Sequence, residues 1–154
     1  MKRLLNTAFA WTILGLIAGV GWREYTKAVG VAPNDGNALS TLHTHILTLG
    51  MLMFFLVLAL DAVFSLTGRK TFTWFYWLYN GGLALTVVMM VIRGVYQVNG
   101  VAEAQTTAAI PGIAGLGHIA LAGGLISLYF ALSGAIKDRA AVRTGARRAE
   151  VEGA

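Results

Sequence analysis

Four long apolar stretches constrain this chain more than any other feature. They run over roughly 4–25, 39–66, 72–95 and 112–136. An α-helix needs about 20 predominantly apolar residues to cross the hydrocarbon core of a bilayer, and each stretch reaches that length. The second is long enough to tilt or to project past the bilayer. No water is present there to satisfy backbone N–H and C=O groups, so such a stretch must be helical. The charge content excludes a soluble alternative. Only 12% of the 154 residues are charged, against about 25% in a soluble domain, and so few charges cannot cover a water-facing surface. The expectation is an all-α integral membrane protein: an up-down four-helix bundle over 1–138, then a basic helical extension over 139–154. No internal repeat is visible.

The start, "MKRLLNTAFAWTILGLIAG", has the basic and apolar regions of a signal peptide. No small-x-small cleavage site follows, so it reads as an uncleaved first helix. Nine of the twelve Lys and Arg residues fall on one side of the expected membrane: Lys2, Arg3, Arg69, Lys70, Lys137, Arg139, Arg143, Arg147 and Arg148. Basic residues collect on cytoplasmic flanks, which puts both termini in the cytoplasm and the chain in a bacterial cytoplasmic (inner) membrane. The net charge of +5 then reflects topology, with anionic headgroups as neighbours of the tail, and gives no reason to invoke nucleic acid.

Cysteine is absent. That excludes a C-x-x-C-H haem attachment, thiolate metal sites and disulfides. A cofactor here must be held by His, Met, carboxylate or shape. The three histidines, His43, His45 and His118, all lie near the starts of apolar runs. His45 and His118 are each about six residues into helices of the same direction, so both sit roughly 9 Å below the outer boundary. In an up-down bundle the second and fourth helices face each other across a diagonal of roughly 12–14 Å, given neighbouring axes 8–10 Å apart. Two imidazoles with one iron between them fill such a gap, the geometry of a non-covalent haem b with two axial histidines. His43 points about 200° away from His45 on a regular helix. The deeper His45 is the preferred ligand; His43 is either the alternative ligand or a partner for a haem propionate.

Other polar residues fall at the same level. Arg23 and Tyr25 end the first helix, and Arg93 and Tyr96 end the third. Ionisable groups inside spans raise a functional-site hypothesis, and guanidinium pairs bidentately with carboxylate. Arg23 and Arg93 therefore suit the two propionates, with Tyr25 and Tyr96 at the mouth. The structural alternative is an Arg93–Glu24 pair joining helices 1 and 3, or snorkelling. Met51, Met53, Met89 and Met90 allow a His/Met haem or a copper site, although methionine in an apolar helix is usually filler. Asp61 and Asn80 are isolated and fit interhelical hydrogen bonds.

The cluster "FTWFYWLY" reads as an interfacial aromatic belt. Gly15-x-x-x-Gly19 and the glycines of the fourth run permit close helix contact, which favours a homo-oligomer. Ser40 or Thr41 is placed to cap the second helix, and "VAPNDGNALS" is a turn-rich connection. No redox partner leaves a signature.

Three functional classes follow. A b-type cytochrome for electron transfer, or for redox or gas sensing, needs apolar walls below the ligands, and "LTLGMLMFF" and "LTVVMMV" provide them. A copper or zinc site would use His45 and His118 as metal ligands. A cofactor-free transporter, channel or assembly factor would use a His/Arg/Glu gate, but a pore needs a polar stripe through the bilayer. The inner halves offer little beyond Asn80, Thr86 and Asp61.

At "LNTAFAWTILGLIAGVGWREYTK", "LHTHILTLGMLMFF" and "GLGHIALAGG" the chain resembles a family of small four-helix bacterial membrane proteins of unknown function. That resemblance implies the four-helix fold and no activity. The H-T-H-x-x-x-L-G and G-H-x-x-L-x-x-G helices are also similar, locally, to the haem-anchoring helices of haem–copper oxidase catalytic subunits. This second resemblance implies haem held by the histidines. The chain is too small, and has too few histidines, for an oxygen-reducing centre.

Overall fold

The computed structural model describes residues 1–31, 36–101, 107 and 109–152. Segments 32–35 and 102–106, in the two long connections, lie outside the described residues. The described chain is helical, with four long helices: α1 (Lys2–Val29), α2 (Leu42–Phe64), α3 (Lys70–Val98) and α4 (Ala109–Glu152). All four contain a window long and apolar enough to cross a membrane. α4 passes residue 138 without a break, so the basic tail continues the fourth helix. Pro111 lies in its first turn, where a missing N–H breaks no helical bond.

The helices associate as two antiparallel pairs whose seams the sequence builds from small residues. Along α4 the buried positions are Gly117, Leu121, Gly124, Leu128, Ala131 and Ala135; along α3 they include Phe72, Phe75, Tyr79, Gly82, Thr86 and Met89. Both sets step by three and four residues, the spacing of a coiled-coil seam. Glycine lets the backbones meet: a Cβ on Gly82 would stand 2.7 Å from the Gly117 carbonyl oxygen, and one on Gly124 would stand 2.9 Å from Tyr79 Cβ. α1 and α2 meet the same way, Gly15 against Leu47 and Gly50 against Trp11. Of the glycines expected to favour association between copies, Gly15, Gly117 and Gly124 are used inside the bundle, while Gly112 and Gly115 meet no other helix among the described residues.

The two pairs meet chiefly along α2 and α3, while α1 and α4 share no closely packed face. Side chains tie α1 to α3, running parallel to it: Tyr76 Oη lies 2.7 Å from Thr7 Oγ1, and Trp11 Nε1 donates to Asn80 Oδ1 at 3.0 Å. This departs from the expected cyclic bundle. α2 and α4 do not face each other across a diagonal; they flank α3, and near the tail Arg139 donates to the Val63 carbonyl. Glycine seams favour the close α1–α2 and α3–α4 contacts over a symmetrical square.

One element had no counterpart in the sequence reading. From Ile46 to Leu52 α2 winds as a π-helix, with i→i+5 hydrogen bonding and more residues per turn. The buried residues Leu42, Ile46, Gly50 and Phe54 are spaced by four. On a regular helix each such step drifts by about 40°; the wider winding keeps all four against the rest of the bundle. Tyr79 Oη donates to the Leu49 carbonyl within this segment at 3.0 Å.

The aromatic cluster divides in two. Trp74 and Trp77 are exposed, as a belt requires, while Phe72, Phe75 and Tyr79 are buried, Phe75 and Tyr79 against Phe54 and Phe72 against Phe75. Asn80 makes an interhelical bond; Asp61 instead closes the α2–α3 turn, accepting from Thr67 N and Oγ1 at 2.7 and 2.8 Å. Thr41 occupies the N-cap position of α2 without a side-chain capping bond; its hydroxyl donates to the Ala38 carbonyl.

Candidate functional site

A cavity of about 570 Å³ lies at the end of the bundle opposite the basic tail, walled by α2, α3, α4 and the connections leading into them. Its position follows from the packing. α2 and α4 both lean on α3 and leave space between themselves there. α3 supplies one face at helical spacing: Thr86, Met89, Met90, Arg93, Tyr96 and Gln97. α2 contributes His45, and α4 contributes Pro111, Ala114 and His118. The inner wall is closed by Met89, which is buried, and by Thr86, whose hydroxyl donates to the Gly82 carbonyl at 2.9 Å. Arg93, Tyr96 and Gln97 lie nearer the end of α3, so the cavity grades from apolar to polar along its length.

The two histidines are prepared alike. His45 Nδ1 stands 3.0 Å from the Thr41 carbonyl oxygen, and His118 Nδ1 stands 2.9 Å from that of Ala114. A carbonyl oxygen only accepts, so in each ring Nδ1 carries the proton. In a neutral imidazole that leaves Nε2 as the lone-pair nitrogen. A bond from the non-ligating nitrogen to a backbone carbonyl is what orients a metal-bound histidine. Each bond reaches back four residues along its own chain, to a carbonyl at or near the helix start.

The structure brings together four of the seven residues singled out from the sequence: His45, His118, Arg93 and Tyr96. The other three stand elsewhere. His43 packs against α1 at Gly19, and a Cβ there would lie 3.6 Å from His43 Cβ; its Nδ1 is buried with no hydrogen-bond partner among the described residues. Arg23 is exposed on α1 and stands 4.0 Å from Glu24, so Glu24 has a partner on its own helix. Tyr25 accepts from Asn99 Nδ2 at 2.8 Å and lines a separate apolar cavity of about 380 Å³ among α1, α2 and α3. All three were chosen by their level along the helices; the direction around the helix axis takes them away from the cavity.

Thr86 and Gln97 were not singled out as site residues. Gln97 Oε1 accepts from the Ala38 amide at 2.8 Å and ties the approach to α2 onto α3 beside the cavity. The signal was the spacing of 86, 89–90, 93 and 96–97, one face of a helix. Met51 and Met53 lie on α2 outside the cavity lining. Among the described residues no group of three or more His, Cys, Asp or Glu side chains is assembled for a metal ion. The protein donors in the cavity are two imidazoles, with the Met89 and Met90 thioethers beside them.

A family model described as protein of unknown function (DUF2871) matches residues 1–135, which takes in all but the end of the four-helix region. No curated protein and no solved structure matches the chain.

Proposed function

The chain belongs to the DUF2871 family, and for this member we propose a membrane-embedded b-type cytochrome, with haem in the cavity between α2 and α4 held by His45 and His118. The observation that carries the reading is the matched pair of imidazoles. Both line one cavity, and both have Nδ1 committed to a carbonyl, which leaves Nε2 as the donor. Ligand count favours haem over a bare ion. A structural zinc site takes four protein ligands and a catalytic one three, whereas a porphyrin supplies four in-plane donors and asks the protein for at most two. The cavity volume of about 570 Å³ is within the roughly 300–1,000 Å³ range of cofactor pockets. Met89 and Thr86 would wall the macrocycle, and Arg93, with Gln97 and Tyr96 beside it, would meet a propionate.

Haem held by two histidines carries one electron at a time and keeps no open iron position, which suits electron transfer or redox sensing more than catalysis. Large apolar side chains such as Phe9, Ile119 and Phe130 are exposed around the bundle, and lipid is the solvent that tolerates them. The concentration of Lys and Arg at the tail end supports a bacterial cytoplasmic membrane with both termini inside.

The test is an absorption spectrum of protein purified in mild detergent, oxidised and then dithionite-reduced. A Soret band with α and β bands on reduction is expected. Those bands should be lost in His45→Ala and His118→Ala and kept in His43→Ala. Protein that stays colourless when haem is supplied during expression removes the cytochrome reading.

A further inference from the structure

A second cleft opens at the other end of the molecule, between α1 and α3. It has a volume of about 710 Å³ and is bordered by Arg3, Asn6, Thr7, Tyr76, Trp77 and Asn80. α1 and α3 are bridged there by side chains, and the bridges are complete. Thr7 Oγ1 donates to the Arg3 carbonyl at 2.9 Å, so Tyr76 Oη is the donor in the Thr7–Tyr76 bond. Asn80 accepts from Trp11 Nε1 and donates to the Tyr76 carbonyl. The floor is polar, satisfied and fixed.

Arg3 stands over this floor with its charge unbalanced. Its guanidinium carbon lies 3.7 Å from the centre of the Tyr76 ring and 5.0 Å from that of Trp77. Among the described residues no carboxylate borders the cleft; Asp61, at the same end, accepts from Thr67 and faces the Met1 ammonium at 3.8 Å. Aromatic rings hold the flat face of a guanidinium and leave its N–H edge for a planar anion. Beyond the cation the cleft continues between Ala10 and Leu14, which offer an apolar wall.

We infer that the α1–α3 cleft binds an anionic phospholipid, with Arg3 taking the headgroup phosphate, the Asn6 amide beside it, and an acyl chain lying along Ala10 and Leu14. Charge complementarity selects the occupant: among the described residues the cleft holds one cation and no acid, and with an apolar continuation it matches a phosphate ester attached to a hydrocarbon chain. Arg–phosphate pairs are charge-assisted and often bidentate. The cleft is at the end where basic residues face the anionic leaflet in the proposed topology. The inference rests on the membrane part of that proposal and is independent of haem.

The experiment is native mass spectrometry of the full chain in mild detergent, titrated with phosphatidylglycerol or phosphatidylcholine. One phosphatidylglycerol should bind in preference to phosphatidylcholine. Arg3→Gln should weaken that binding by roughly ten- to a hundredfold, the worth of a hydrogen bond to a charged group. Arg3→Lys should restore part of it, and Arg143→Gln, on the exposed end of α4, should leave it unchanged. Trp77→Leu, which removes a stacking ring and no charge, should weaken it less than Arg3→Gln and carries the test if Arg3→Gln does not fold. Equal binding of the two lipids, full retention in Arg3→Gln or Trp77→Leu, or displacement by millimolar inorganic phosphate would overturn the site. Release of the protein from membranes by alkaline carbonate would instead overturn the membrane reading beneath it.

Discussion

Around Phe54 the bundle is filled with aromatic rings, whereas around His45 and His118 the same three helices enclose a cavity. In the filled region Phe54, Phe75 and Tyr79 are fully or almost fully buried, with ring centres 5.4–6.1 Å apart. Gly124 admits Tyr79 so closely that no side chain fits at that position. In the hollow region the residues facing inward are two imidazoles, two thioethers and polar groups toward the mouth. Membrane helices gain no hydrophobic free energy from meeting one another, so their association rests on close packing and hydrogen bonds. Here those terms are concentrated in one half, which leaves the other free to hold a guest.

The largest effect expected from this division is on stability in the filled half. Phe54→Ala should cost about 3–5 kcal/mol, the range for removing a buried aromatic side chain. The comparison is an unfolding titration of the two proteins in mixed micelles. A loss below about 1 kcal/mol would show that the ring cluster does not hold the bundle together.

Met89→Ala is the matching change in the hollow half. Met89 is nearly as buried as its counterparts, yet it borders empty space, so its removal leaves fewer broken contacts. A loss of about 2 kcal/mol is expected, the low end for a buried methionine, in apoprotein measured the same way. If Met89→Ala cost as much as Phe54→Ala, the two halves would not differ in how they are held.

The same contrast explains what could be read from the sequence. The four spans were legible because length and apolarity alone define them, and the matched depth of His45 and His118 followed from counting 1.5 Å per residue. What failed was direction around the axis. In a soluble helix the polar face marks the outside; here Ile119 is exposed and Leu121 buried, and nothing in their chemistry tells them apart. Arg23 and Tyr25 were therefore grouped with the cavity by level, although α1 does not border it, and His43 was grouped with it although its side of α2 meets α1 at Gly19. Small residues were the usable signal, since Gly82, Gly117 and Gly124 mark the α3–α4 seam. The π-helical winding of α2 was not legible either, because the four-residue spacing of Leu42, Ile46, Gly50 and Phe54 stands out only once their burial is known.

That winding joins the two halves, and the smallest predicted effect tests the join. It begins directly after His45 and ends just before Phe54. Tyr79, a member of the filled half, donates to its Leu49 carbonyl. Tyr79→Phe removes that hydroxyl and little volume. Interhelical hydrogen bonds in membranes average about 0.6 kcal/mol, so the unfolding midpoint should hardly move. If the bond helps set the direction in which α2 presents His45, the reduced absorption bands and midpoint potential of haem-loaded protein should shift while haem is retained. An unchanged spectrum and potential would mean that α2 keeps its wide turns, and His45 its direction, through the Gly15–Leu47 and Gly50–Trp11 contacts with α1 alone.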